Sequence, residues 1–371
     1  MVVEASDTFA LICGGGTAGH VLPAIAIGEA LVAAGHPAES LHFVGSEGRI
    51  ESELVPEAGF TVTLLPGRGI QRKLTLANVG AVVGIVRAIF EAIGLVRRRR
   101  PRVVVAMGGY ASVPCGLAAV LWRVPIVVAE QNAVPGAANR LIARFAKAAA
   151  VSFPDTPLPR SVVTGNPVRD DVRAAAGDRA GARAKLGIAD GVALVLVVGG
   201  SLGARRINQA VVAALPQWHG RRDIALHHVV GSRDWAETTA ALPAPGADDV
   251  AYAPVEYEHD MPTVLAASDV AVCRSGSGTC FELCAVGLPA ILVPSPFVTG
   301  DHQTANARYL ADHGAAVLVP DAELDGGRLV AEVDALLADP PRRAAMAAHA
   351  HALARPDAAT AIATLAEQHA R

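Results

Sequence analysis

A chain of 371 residues is long enough for two domains of ordinary size, each with its own core. With 52% hydrophobic and 18% charged residues it is not a disordered chain, and with 4% aromatic residues it is poorly equipped to stack single-stranded bases. The net charge of −3 is uneven: residues 68–147 hold 13 Lys/Arg against Glu91 and Glu130, so that stretch carries +11 and the rest −14. A local anionic partner such as a membrane surface fits this better than general nucleic-acid binding.

The N-terminal "MVVEASDT" is acidic and has no basic n-region, so no signal peptide is expected. A first strand, Phe9–Cys13, is followed by "GGGTAGHVLP", with a helix starting near Pro23. Glycines between a strand and a helix let backbone N–H groups approach a phosphate or a sugar. Gly14-x-Gly16-x-x-Gly19 also satisfies the dinucleotide fingerprint, and a tight turn without ligand would look the same. A second strand is expected at Leu41–Val44. The apolar run Val79–Val96 is interrupted by Arg87 and Glu91, so no membrane-spanning helix is expected. Strands Val103–Met107 and Ile126–Ala129 end in the loops "MGGYASVP" (107–114) and "AEQNAVPGAANR" (129–140). "VVTGNPVRDDVR" (162–173) reads as a join, because Asn166-Pro167 bars a continuous helix.

The second half restarts as the first did. Strand Ala193–Val198 leads into "GGSLGARRIN" (199–208), where glycines, Ser201, Arg205 and Arg206 suit a diphosphate. Strands His227–Val230 and Val270–Cys273 follow, then "CRSGSGTCFELCAVGLP" (273–289). There Thr279 and Glu282 have capping-box spacing; alternatively the Glu282 carboxylate accepts both ribose hydroxyls of a nucleotide. Strand Ala290–Val293 precedes "GDHQTANARYL" (300–310), and the Ala-rich tail from Pro340 reads as helix interrupted near Pro356.

Such alternation predicts an α/β protein of two doubly wound, Rossmann-like domains, 1–166 and 167–345, with a C-terminal helix at about 346–371 able to pack back on the first. Glycine loops at strand C-terminal ends can converge on one ligand only if the domains face each other across a cleft. The five cysteines match no zinc spacing and read as reduced core residues. With no Asp-x-Asp and no ligand cluster, no metal or cofactor is expected; helix dipoles, amides and arginines would carry a diphosphate's charge.

Six ordered motifs, "GGGTAGHVLP", "MGGYASVP", "EQNAVPG", "GNPVR", "GGSLGARRIN" and "CRSGSGTCFE…GLPAILVP", give the chain a resemblance to the MurG family of glycosyltransferases from roughly Phe9 to Pro320. The resemblance implies a GT-B fold and inverting transfer of N-acetylglucosamine (GlcNAc) from UDP-GlcNAc to the 4-hydroxyl of the muramyl sugar of lipid I, giving lipid II for peptidoglycan synthesis. It implies that Ser201 and Gly203 hold the diphosphate with Arg169 nearby, and that Ser277, Gly278 and Thr279 contact the nucleotide. Glu282 would bind ribose, Gln303 the sugar hydroxyls, and Thr17, Ala18, Gly19 and Asn132 would line the acceptor side. Glu258 matches a position whose backbone faces uracil. His20 would be the general base, a role suited to an imidazole that titrates near neutral pH. Ala18, Ala129, Leu202 and Thr304 depart from the residues usual in the family, Ala129 replacing a common His.

A lipid acceptor implies a peripheral protein on the cytoplasmic face of the plasma membrane, docked through the 68–100 region. There Val79, Val82, Val83, Val86, Ile89, Phe90 and Ile93 recur at helical spacing beside Arg68, Arg72, Lys73, Arg87 and Arg97 to Arg100. Cell-wall synthesis or division proteins are further possible partners; nucleic acid is not. The competing readings are an NAD dehydrogenase using Gly14–Gly19, another UDP-sugar enzyme such as an epimerase, and a sugar-nucleotide sensor without catalysis.

Overall fold

The computed structural model describes residues 8–67, 77–200, 202–243, 246 and 250–371, with only the backbone for Ala18 and 77–83. Ser201, Arg68, Arg72 and Lys73 therefore lie outside the described residues, as do the side chains of Ala18, Val79, Val82 and Val83. The chain forms two compact units, one ending at Pro167 and regaining Asp357–Arg371, the other running from Val168 to Pro356.

In the first unit the described strands are β1 (Ala10–Gly14), β2 (Leu41–Ser46), β3 (Thr61–Leu65), β4 (Val103–Gly108), β5 (Ile126–Glu130), β6 (Ala148–Val151) and β7 (Ser161–Val163). They form one parallel sheet in the order β3-β2-β1-β4-β5-β6-β7. The central strands are buried on both faces, which is why they read as continuous apolar runs. The helices are α1 (Ala18–Ala33), α2 (Glu51–Glu57), α3 (Ala77–Arg99), α4 (Ser112–Leu121) and α5 (Ala137–Ile142). On one face α3, α4 and α5 pack through Ala88, Leu95, Cys115, Ala119 and Ile142; on the other α1 and α2 pack through Val21, Ile27, Leu31 and Val55.

The second unit has β8 (Ala193–Val198), β9 (Ile224–Val229), β10 (Ala251–Val255), β11 (Val270–Cys273), β12 (Ala290–Leu292) and β13 (Ala316–Leu318), parallel in the order β10-β9-β8-β11-β12-β13. Around it stand α6 (Asp170–Ala176), α7 (Arg179–Lys185), α8 (Arg205–Ala214), α9 (Trp235–Ala240), α10 (Met261–Ala267), α11 (Ser277–Val286), α12 (His302–Asp312), α13 (Gly326–Leu337) and α14 (Pro340–Leu353). The tail breaks before Pro356, and α15 (Ala358–His369) joins the first unit, burying Ile362, Ala363 and Ala366 in its α1 face. Within that unit His36 on the α1 side meets Glu367 at 3.0 Å.

Counted within each unit, both sheets begin with the 3-2-1-4-5-6 order of the dinucleotide-binding fold. Its chain reversal falls between β1 and β4 in one unit and between β8 and β11 in the other. Ligands bind outside the C-terminal strand ends at such a reversal. All five cysteines are buried and free.

Candidate active site

The helices that leave the reversal points have bare N-termini. α1, α4, α8 and α11 follow β1, β4, β8 and β11, and among the described residues none has an N-cap side chain bonded to its first amides. Elsewhere in the second unit α7, α10, α13 and α14 carry aspartate caps, Asp178, Asp260, Asp325 and Asp339. Uncapped amides at the positive end of a helix are available to an anion or a sugar oxygen.

In the first unit, Gly14 and Gly15 run at φ +155° and +143°, hard against β4 and its loop. Thr17 stands at the N-cap of α1, but its hydroxyl is 3.0 Å from Nδ1 of His20 instead of an amide. A donating Nδ1–H leaves Nε2 as the basic nitrogen, and Nε2 lies where a β-carbon on Gly108 would come within 3.3 Å. Glycine at 108 keeps that space open. The hydroxyl of Ser112 accepts the Gly108 N–H at 2.9 Å and lies 2.9 Å from the Cys13 carbonyl, tying the two loops together.

The "EQN" triplet is organised by its buried glutamate. Glu130 accepts the amides of Asn132 and Gly136, both at 3.0 Å, and Asn139 Nδ2 at 2.9 Å. Asn132 is thereby held half-buried at the strand end. Ala129 is a buried strand residue whose carbonyl accepts Asn139 Nδ2.

In the second unit a cavity of about 730 Å³ is lined by Gly199, Gly200 and Gly203, the N-termini of α8 and α11, Arg233, Arg274 and Gln303. Gly203 has φ +85° and a side chain there would run into the Val230 carbonyl, whereas Gly276 and Gly278 face open space. Arg233 is pinned by buried Asp234, at 2.9 and 2.8 Å, and donates to the Gly203 carbonyl at 3.1 Å. Arg274 is anchored by Asp321 at 2.6 Å. Both guanidiniums are therefore pre-oriented. Asn208 of α8 donates to the Val230 carbonyl at 3.0 Å and accepts from His228. Burial, with His227 beside it, pushes His228 down to about 4, so the ring stays neutral between Asn208 and the Tyr252 hydroxyl.

Gln303 accepts the Ser295 amide through Oε1 at 2.8 Å and lines the cavity. Thr279 lines the same cavity. The capping box is not formed: α11 begins at Ser277 with Gly276 as N-cap, so Thr279 is already the third helical residue and Glu282 lies beyond the first turn. Glu282 instead faces Arg169, 3.8 Å from its Nε, with its side chain 22% exposed. Burial raises the Glu282 carboxyl above its ordinary range, Arg169 opposes this, and Asp171 adds to it. Arg169 also pairs with Asp171 at 3.0 Å, so it stands beside Glu282 and is not among the cavity-lining residues. The Glu258 side chain is occupied by His227, at 2.7 Å, and the Asp260 amide, at 2.6 Å. Thr304 bonds Asp301 at 2.7 Å. Arg274 follows β11 directly, a position legible in the sequence, whereas Arg233 sits in a turn with no local signature.

The N-terminal domain of glycosyltransferase family 28 matches residues 10–151, and the C-terminal domain of the same family matches 194–362. The UDP-N-acetylglucosamine--N-acetylmuramyl-(pentapeptide) pyrophosphoryl-undecaprenol N-acetylglucosamine transferase of Desulforudis audaxviator is 40% identical, across 96% of this chain and 97% of its own. The transferase of the same name from Alkalilimnicola ehrlichii is 41% identical, across 97% and 99%. The structure of Acinetobacter baumannii MurG superposes with a TM-score of 0.77 at 27% identity, covering 97% of this chain and 99% of that one. A UDP-GlcNAc 2-epimerase from Neisseria meningitidis shares the fold, with a TM-score of 0.67 at 12% identity over 96% and 100%. Two family domains in order, near-complete alignment at two-fifths identity and a matching GT-B structure make the chain a member of the MurG family within glycosyltransferase family 28.

Proposed function

We propose that the chain transfers GlcNAc from UDP-GlcNAc to the 4-hydroxyl of the muramyl sugar of lipid I, with inversion, releasing UDP and lipid II. The observation that carries this reading is the second unit's cavity, where two bare helix N-termini and two anchored arginines meet Thr279 and Gln303. A sugar nucleotide diphosphate has the matching chemistry, and the named relatives use one.

The second unit is assigned the donor. The Gly199–Gly203 loop, with Ser201, and the first amides of α8 and α11 take the diphosphate; Glu282 takes the ribose hydroxyls and Gln303 the sugar. The first unit is assigned the acceptor, with Thr17, Gly19 and Asn132 around it. In the reaction the acceptor oxygen bonds to the anomeric carbon as the bond from that carbon to the β-phosphate oxygen breaks. The hydroxyl proton passes to His20 Nε2, and the electron pair leaves on UDP, where amide dipoles and guanidiniums meet the charge. UDP release from UDP-GlcNAc is expected only when a soluble lipid I analogue is added, and to persist in EDTA. Release without acceptor, or its loss on chelation, would contradict the scheme.

The first glycine loop is a poor dinucleotide cradle. The Gly16 N–H donates to the buried carboxylate of Glu51 at 3.2 Å, so the central glycine amide of the fingerprint is already taken and is not offered to a dinucleotide. This disfavours the dehydrogenase reading.

Membrane docking is proposed for the α3–α4 face. Phe90 is 70% exposed and Leu121 58%, Val86 and Trp122 also reach solvent, and Arg97 lies over the Trp122 ring at 5.6 Å. Ala88, Ala92, Leu95 and Val96 supply the core face of α3, leaving Ile89 and Ile93 half-buried. Among the described residues no helix is long and apolar enough to cross a membrane. Phe90→Ser with Leu121→Ser, or reversal of Arg97 to Arg100 to glutamate, should weaken sedimentation with anionic vesicles by at least about tenfold, at roughly 1 kcal/mol per basic residue. Unchanged co-sedimentation of both variants would remove this face from consideration.

A further inference from the structure

We propose that Glu51 is a positioning residue for the transfer: from beneath the first glycine loop it holds the backbone that aims His20. This rests on the assignment of His20 as the base. Glu51 opens α2 just after β2, and its side chain is buried, the residue being 2% exposed. Oε1 accepts the Ser46 amide at 2.9 Å and Oε2 the Gly16 amide at 3.2 Å. Two glycines make room for it, since a β-carbon on Gly15 or on Gly45 would collide with the Glu51 side chain.

A buried carboxylate is costly unless its oxygens are met by donors. Here the donors belong to the loop after β1 and the end of β2, neighbouring parallel strands whose C-terminal ends the carboxylate ties together. The link to the imidazole is continuous. Glu51 holds the Gly16 amide, Gly16 is followed by Thr17, the Thr17 carbonyl accepts the His20 amide at 3.0 Å, and the Thr17 hydroxyl meets His20 Nδ1 at 3.0 Å. Hydrogen bonds to an ionised acceptor are shorter and stronger than neutral ones, so a carboxylate holds this corner more firmly than an amide would. Glutamine of the same shape accepts one of the two amides and turns an NH2 group on the other, leaving two donors opposed. Small misplacements of a catalytic group cost rate far more than they cost binding.

The test compares Glu51→Gln, His20→Ala and the double variant, with kcat and KM measured against UDP-GlcNAc and a soluble lipid I analogue, plus thermal melting and UDP-GlcNAc binding. Glu51→Gln is expected to lower kcat by roughly 10- to 100-fold. KM for UDP-GlcNAc, whose site lies in the other unit, should stay within about twofold. In the His20→Ala background the same change should cost less than about twofold, because residues acting as one unit are not additive. An equal loss of rate in both backgrounds would overturn the proposal. So would a near-normal kcat for Glu51→Gln, or a variant that no longer melts cooperatively or binds donor, which would make Glu51 a requirement of the fold. Near-normal turnover by His20→Ala alone would instead remove the base assignment on which the proposal rests.

Discussion

His20→Ala should lower kcat by roughly 10²–10⁴-fold, the span removed when a positioned general base is lost. Affinity for UDP-GlcNAc should hold, since His20 stands in the first unit and the cavity proposed for the donor is lined by residues of the second. The expectation has a specific geometric ground. Thr17 is the N-cap of α1 yet spends its hydroxyl on His20 Nδ1 at 3.0 Å, and Nε2 faces the clearance kept by Gly108. Thr17→Val, which keeps the shape but removes the hydroxyl, should show a smaller loss in kcat with the same intact donor binding. Single-turnover measurements with radiolabelled donor separate chemistry from UDP release. A His20→Ala enzyme with near-normal single-turnover rate would leave the proton transfer without its acceptor and sink the assignment.

The second large effect concerns Glu282. A partly buried carboxylate accepting two ribose hydroxyls makes charge-assisted hydrogen bonds of about 1.5–3 kcal/mol each, so Glu282→Ala should weaken UDP binding by roughly 10²-fold or more. Calorimetric titration with UDP reads this directly. The pH dependence follows from the raised carboxyl. The ionised form binds the hydroxyls, so donor affinity should decline as pH falls through a value above the usual carboxylate range. For the free protein the sign is opposite. A group whose folded pKa is raised contributes stability that is full below the unfolded carboxyl's pKa and is lost as pH rises through the raised folded value. Glu282→Gln should therefore bind UDP poorly yet melt no lower than the parent at neutral pH. A Glu282→Gln protein with parental UDP affinity would show that the carboxylate is a structural partner of Arg169, 3.8 Å away, and nothing more.

Much of the architecture was legible because buried parallel strands are apolar along their whole length and glycine loops interrupt them sharply. Strands at Ala193–Val198 and Val270–Cys273 have the bounds read from the sequence, and β1 and β4 differ from it only at their ends. The short, exposed β7 (Ser161–Val163) had no such signature, as nothing but pairing to β6 makes it a strand. Capping-box spacing at Thr279–Glu282 was misleading, because Gly276 permits α11 to start a turn earlier than the hydroxyl suggests. The apolar stripe expected on α3 is divided differently, with alanines at 88 and 92 taking the core and Phe90 left in solvent.

By itself the sequence determined what depends on residues near one another in the chain: the strand runs, the bare helix starts behind glycines, the position of His20 within its loop, and through six ordered motifs the family. Tertiary structure alone decided which distant groups meet. Sheet order places Glu51 under Gly16, Arg169 against Glu282, and Arg233 and Arg274 around one cavity, and it assigns α15 to the first unit. The physical reason is that hydrophobic periodicity and turn chemistry act over a few residues. A buried carboxylate or guanidinium, by contrast, is held by whichever donors and acceptors the packed strands bring to it, and no local pattern encodes that pairing.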